Sequence, residues 1–361
     1  MTALAIHAPL GWLGAGRLVE DVVVIVDRGR VAFAGPRAEI AIVAARGDET
    51  ENLEGQSIPS QPDEEIRIDG FLMPGVVDRH VHIGLSDPAA VAAGGVTGAR
   101  DLAWPADTIF SLAEASESPS FNGPLIRAAG PMITCPRGYP TRAGWGPKGT
   151  GLEVEGPDEA AAAARDLLER GAAVLKVAMN ADAGPTLSDQ ELVAVCDTAH
   201  DAGTIVTAHV QGAGQASRAV GAGVDELAHC PWSERLPDGL IDVMAKRVRI
   251  VSTLDIHSYG RDTPELRVAT DNLQRFLQAG GRVAYGTDLG NGPIPPGIHC
   301  GEAWHLARAG MTTEQVLEAM TFRPLAAGEP GDVVVVGGDP LQDLDALGDV
   351  RLVIRGGRRL G

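Results

Sequence analysis

Short apolar runs recur along this chain, and from residue 76 onward they alternate with longer segments whose apolar positions repeat every three to four residues. Runs of this length, bounded by glycine and polar residues, read as strands, and the longer periodic segments read as amphipathic helices. Eight strands are expected: Val76 to Val81, Val96 to Arg100, Leu125 to Ala129, Ala173 to Ala178, Ile205 to His209, Asp225 to His229, Ile250 to Leu254 and Val283 to Thr287. The clearest helices are Asp158 to Arg170, Ser188 to Ala202, Pro264 to Ala279 and Thr313 to Met320. Strand–helix alternation of this kind predicts an α/β protein with a (β/α)8 TIM-type barrel, a doubly wound open sheet being the competing architecture.

The two ends carry a different pattern. Val22 to Val26 and Arg30 to Phe33, separated by Asp27-Arg28-Gly29, predict a hairpin, and residues 46 to 64 read as an exposed, polar connection with a boundary near Gly70. The tail returns to short β-type runs, Gly331 to Val336 and Val350 to Ile354, so the ends are expected to pair into a small β-sandwich. The predicted division is residues 1–70 with 325–361 as that unit, and residues 71–324 as the barrel.

With 361 residues, 44% of them hydrophobic, the chain can bury one large core. Its formal charge of -18 argues against nucleic acid and anionic membrane as partners and leaves a small-molecule or peptide substrate open, as it does self-association into a homo-oligomer. No leader-like start and no membrane-length apolar run is evident, which predicts a cytoplasmic protein. Cys135, Cys196, Cys230 and Cys300 lack CxxC spacing and are expected to be reduced thiols. Arginine is strongly preferred to lysine, the only lysines being Lys148, Lys176 and Lys246, which makes each lysine informative.

Lys176 stands in the apolar run Ala173-Val174-Leu175-Lys176-Val177-Ala178, where a bare ammonium is costly unless paired or chemically altered. His80, His82, Lys176, His209, His229 and Asp288 fall at or near the C-terminal ends of predicted strands, the end at which barrels place their chemistry. His80 and His82, at i and i+2 on a strand, share a face and can reach one ion. Each has an ordinary alternative: exposed strand-end histidines, a cross-barrel ion pair for Lys176, satisfied core histidines at 209 and 229, and a helix N-cap at Asp288.

The wider context narrows these alternatives. Met73-Pro74-Gly75-Val76-Val77-Asp78-Arg79-His80-Val81-His82 resembles the PGxxDxHxH signature of the amidohydrolase superfamily, Ala222-Gly223-Val224-Asp225-Glu226-Leu227-Ala228-His229 its AGVDxxxH element, and Gly286-Thr287-Asp288-Leu289-Gly290 its GTDxG element. The likeness extends to His299, Glu302, residues 309–317 and the tail, and is nearest to the imidazolonepropionase-like and metal-dependent prolidase branch. Residues 320–326 are a loose version of the usual TxNPA element, and the loop before Gly331 looks short.

This resemblance implies a two-metal hydrolase. His80, His82 and Asp288 would hold one divalent ion, His209 and His229 the other, and a carbamylated Lys176 would bridge them, with zinc the expected metal. A metal-bridging hydroxide would attack an amide carbon–nitrogen bond, with Asp288 as proton shuttle. The substrate is expected to be peptide-like, an N-acyl amino acid or a modified peptide, which would fit natural-product tailoring; cyclic amides and lactones remain alternatives. A single-metal deaminase is disfavoured because Val210-Gln211-Gly212-Ala213 follows His209 without the usual glutamate, and a non-catalytic barrel because all six ligand positions are filled. His257 is left for substrate or oxyanion contact, and Arg137, Tyr139 and Arg142, in the loop after strand three, are expected to grip a substrate carboxylate.

Overall fold

Alternate residues of a strand face opposite ways, and in the run Val22 to Val26 both faces are covered. Val22, Val24 and Val26 join an apolar cluster with Leu4 and Ile6, while Val23 and Ile25 join another with Ala5 and Ala32. In a computed structural model, which describes residues 3–40 and 62–360, this region forms β1 (Leu4–Trp12), β2 (Leu18–Asp27) and β3 (Arg30–Pro36). The expected hairpin is β2–β3, closed through Arg28 (φ 48°) and Gly29 (φ 82°), the left-handed pair that a two-residue hairpin turn requires. Most of the expected connection at 46–64 lies outside the described residues; at its end begins β4 (Glu64–Arg67), which pairs with β1.

Strands from the two chain ends share one sheet. β5 (Phe71–Pro74) lies beside β1 and takes β16 (Val333–Val336) on its other side, followed by β17 (Val350–Arg355) and β18 (Arg358–Leu360). The hydrogen bonds trace one connected eight-stranded sheet, ordered β18-β17-β16-β5-β1-β2-β3 with β4 off β1. The two packed layers of the expected sandwich are not distinguished by that strand order.

Between the ends come β6 (Val76–Val81), β7 (Val96–Asp101), β8 (Leu125–Ala128), β9 (Met132–Thr134), β10 (Gly151–Glu153), β11 (Leu175–Asn180), β12 (Val206–Gln211), β13 (Glu226–Leu227), β14 (Arg249–Val251) and β15 (Arg282–Ala284). All eight expected strands are present, and every pair among them is parallel. Two further sets of bonds turn these strands into a ring. The Ala173 amide donates to Ala128 O at 2.9 Å, joining β11 to β8. At the other seam the Arg79 amide donates to Tyr285 O, the Asp288 amide to His80 O, and Val81 bridges Leu289 in parallel. This closure fits a TIM-type barrel and not an open sheet.

Helices pack between the strands where the 3.6-residue periodicity places them: Pro157–Glu169, Asp189–Asp201, Pro264–Gln278 and Thr313–Met320. Two begin in capping boxes, Ser188 with Glu191 and Thr312 with Gln315, which satisfy amides that would otherwise be unpaired. The four cysteines are free, and among the described residues no helix is long and apolar enough to cross a membrane. The pair β9–β10, not anticipated from sequence, frames residues 135–150.

Candidate metal centre

Asp78 shows why the first motif needs its aspartate. Buried at the start of the site, its Oδ1 accepts the amides of His80 and Thr287, each at 3.0 Å, and its Oδ2 accepts the Thr287 hydroxyl. One carboxylate thus ties β6 to the segment carrying Asp288. Gly286 makes that approach possible: a Cβ there would lie 2.3 Å from Val251 Cγ1 and 3.1 Å from His80 Cβ.

The imidazoles of His80 and His82 are oriented from behind. His80 Nδ1 donates to Ala228 O at 2.7 Å and His82 Nδ1 faces Ala103 O at 3.3 Å, which directs both Nε2 atoms towards one point. Each Nε2 lies 3.1 Å from Asp288 Oδ1. For His80 this is proximity without hydrogen-bonding geometry, because neither His80 Nε2 nor Asp288 Oδ1 has a hydrogen-bond partner. His80, His82 and Asp288 bring their ligand atoms within 4.8 Å of one another.

His209 and His229 join the same cluster of rings. His229 packs 4.5 Å from His80 and 4.8 Å from His209 between centroids, and its Nδ1 meets Thr253 Oγ1 at 2.8 Å. His209 Nε2 lies 3.4 Å from the Asn180 amide nitrogen, which donates to Gln211 Oε1 at 2.8 Å. Lys176 sits lower than the sequence pattern suggested, as the second residue of β11 and not at its C-terminal end. It is fully buried and its Nζ has no hydrogen-bond partner.

Burial sets the protonation states. It lowers Lys176 to about 7, Asp288 opposing the shift, so a substantial share of the amine is neutral and nucleophilic at neutral pH. Burial also lowers His209 to about 3 and pushes His80 and His229 well below the usual imidazole range, leaving neutral rings with free lone pairs. Burial alone would raise Asp288, but His80 and His82 pull it below the usual carboxylate range. Neutral imidazoles, a carboxylate and unpartnered inward-facing atoms are the donor set that divalent zinc takes, so these residues fit a metal.

The cluster opens into a cavity of about 180 Å³ lined by His82, Tyr139, His209, His229, His257 and Asp288, with Asn180, Gln211, Trp232, Tyr259 and Asn291 as further polar and aromatic walls. His257 stands on a 3-10 turn (Asp255–His257), with Trp232 at 4.4 Å and its Nε2 unpartnered; burial lowers it to about 4. Of the three residues expected to grip a carboxylate, only Tyr139 lines the cavity, stacked at 4.9 Å on His209. Arg137 and Arg142 are exposed and absent from the lining. Arg137 takes a positive φ (65°) while its amide donates to Glu153 on β10, so the backbone is held at the rim. Trp145 packs 4.5 Å from His82 and donates to Tyr139 Oη, which steadies the one residue of this loop that lines the cavity. Asn180, Gln211, Trp232, Trp145 and Tyr259 were not anticipated. The available signal was position alone, Asn180 and Gln211 ending β11 and β12.

The amidohydrolase family matches residues 71–360. An uncharacterised protein of Mycobacterium tuberculosis is 29% identical over 81% of this chain and 86% of its own length. Ochratoxinase of Aspergillus niger is 24% identical over 96% of this chain and 84% of its own, and its crystal structure superposes with a TM-score of 0.79 over 99% of this chain and 96% of that one at 21% identity. A Xaa-Pro dipeptidase structure with methionine in its active site gives the same TM-score and identity over 99% of both chains. The family match spans most of the sequence and the whole ring of strands, so the chain belongs to the amidohydrolase family and is a hydrolase acting on carbon–nitrogen bonds.

Proposed function

We propose that this protein cleaves an amide bond in a peptide-like, N-acyl amino acid or modified-peptide substrate at a two-metal centre. The observation that carries this is the convergence of His80 Nε2, His82 Nε2 and Asp288 Oδ1, with Lys176 Nζ buried and unpartnered in the same barrel. His80, His82 and Asp288 would hold one ion, His209 and His229 the other, and Lys176, as its carbamate, would supply one oxygen to each. Two divalent ions held there, zinc above all, would acidify water and polarise the scissile carbonyl.

The chain's own residues do the rest. Asp288, its carboxyl held below the usual carboxylate range, takes a proton at its carboxylate and passes it to the leaving nitrogen. His257, neutral and with a free Nε2, offers a hydrogen bond to the carbonyl oxygen as charge develops there. Tyr139, Trp232 and Tyr259 enclose the group beside the bond, and Tyr139 stays protonated because burial pushes its phenol up. The dipeptidase likeness fits a substrate of this kind. In this reading residues 71–324 carry the chemistry, with 1–70 and 325–361 as an accessory unit.

Metal analysis together with a screen of dipeptides, N-acyl amino acids, lactams and lactones tests the proposal. About two ions per chain and turnover of an acyclic amide are expected. A chain that binds no metal under zinc supplementation, or that turns over none of these classes, overturns it.

A further inference from the structure

A second cavity, about 590 Å³, shares no residue with the metal centre. It lies where β6, β7, β8 and the start of β14 meet residues 322–332, which return to the terminal sheet, and six arginines line it in a chain of net charge -18: Arg30, Arg79, Arg100, Arg127, Arg249 and Arg323. Its inner wall is unbalanced. Arg100 and Arg249 both bind the one buried carboxylate of Glu226. Arg79 is 8% exposed and donates only to Ala319 O and Thr321 O, at 2.9 and 3.0 Å, with no carboxylate within ion-pair reach among the described residues. Three guanidinium groups therefore face one carboxylate.

The rim adds little compensation. Arg127 pairs outward with Glu117, Arg323 with Glu329, and Arg30 donates to Gly328 O. Of the acidic lining residues, Asp332 accepts the Gly356 amide and has Arg355 close by. Burial, and then the charges of Arg249 and Arg100, lower Arg79 to about 10, as expected of cations crowded without a matching anion. Gathering like charges in a concave, partly dry wall is costly, and it focuses positive potential into the space they enclose. A multivalent oxyanion relieves both effects, and guanidinium forks suit its planar or tetrahedral oxygens.

We propose that this cavity is a second binding site, for a small multivalent oxyanion of the phosphate or dicarboxylate type. Its volume leaves room for an organic body on that anion, and nothing in the proposal depends on what the metal centre cleaves.

Calorimetric titration of the metal-loaded protein with inorganic phosphate and, separately, with succinate, at fixed chloride, tests the site. One saturable site per chain is expected for at least one of them, weakened about tenfold or more in Arg249→Gln, in which Glu226 keeps Arg100, and a few-fold in Arg323→Ala, with metal content unchanged. Phosphate alone binding assigns the phosphate type, and succinate alone the dicarboxylate type. No saturable heat up to about 10 mM of either anion overturns the proposal. So does binding undiminished in both variants, which would put the anion at the metal centre. Should Arg249→Gln not fold, Arg323→Ala and Arg127→Ala, whose side chains are exposed, decide the matter.

Discussion

His80 Nε2 lies 3.1 Å from Asp288 Oδ1, and neither atom has a hydrogen-bond partner although both are buried. Two such atoms are tolerated in a core when both point at a third, shared group. Asp288→Ala is accordingly expected to lower kcat by about 10² to 10⁴-fold, the range for loss of a positioned proton carrier. Ala in place of His80 should instead lower bound metal, read by elemental analysis of the dialysed protein. A His80→Ala protein with full metal content would remove His80 from the ligand set.

Lys176 gives a prediction for stability as well as activity. A lysine whose folded pKa is lowered to about 7 binds fewer protons folded than unfolded between that value and its ordinary 10.5, so its contribution to stability improves as pH rises through that window. In metal-free, CO₂-depleted buffer, Lys176→Met should melt above the parent at pH 7, with the difference shrinking towards pH 10. Each pKa unit corresponds to about 1.4 kcal/mol, so several degrees are expected. In metal-loaded protein Lys176→Ala should lose activity and recover part of it with added short carboxylic acids; an active Lys176→Ala protein would exclude the carbamate.

His257 should act as a neutral donor. Burial holds it near 4, so it contributes no limb to the pH–rate profile between pH 5 and 9. His257→Ala is expected to lower kcat by about 10²-fold with metal content intact. Because Trp232 packs 4.4 Å from its ring, tryptophan fluorescence reports whether the substitution disturbs the wall.

The rim arginines should matter little. Arg137→Ala and Arg142→Ala are expected to leave kcat/KM within about twofold, as exposed substitutions do. Tyr139→Ala should raise KM up to about tenfold, through lost stacking at His209 and the lost acceptor for Trp145. A large loss from either arginine variant would mean that the loop folds inward over substrate.

Gly286→Ala tests the seam. The added Cβ would meet Val251 at 2.3 Å and His80 at 3.1 Å, so a destabilisation of about 1–3 kcal/mol is expected, measurable by denaturant unfolding. Weaker metal retention should accompany it, since His80 must give way.

Much of this protein is legible in local sequence. Period-two and period-3.6 patterns are properties of consecutive residues, so they locate the eight barrel strands and the major helices without reference to distant contacts, and the hairpin at Arg28-Gly29 follows from its turn chemistry. The first motif brings His80 and His82 together because both ride on one strand end, and Lys176 stands out because an ammonium in an apolar strand demands an explanation.

The tertiary structure decided what depends on residues far apart in the chain. Lys176 lies low in its strand, because strand register and not the apolar run sets its level. Arg137 and Arg142 fell outside the cavity and Trp232 inside it, with Trp145 packed against His82 behind Tyr139, because loop direction is set by the β9–β10 pairing and by packing against histidines from other strands. The arginine-lined cavity likewise joins residues from 30 to 332. Local periodicity fixes which way a side chain leaves its own strand, while ring closure determines which side chains then share a space.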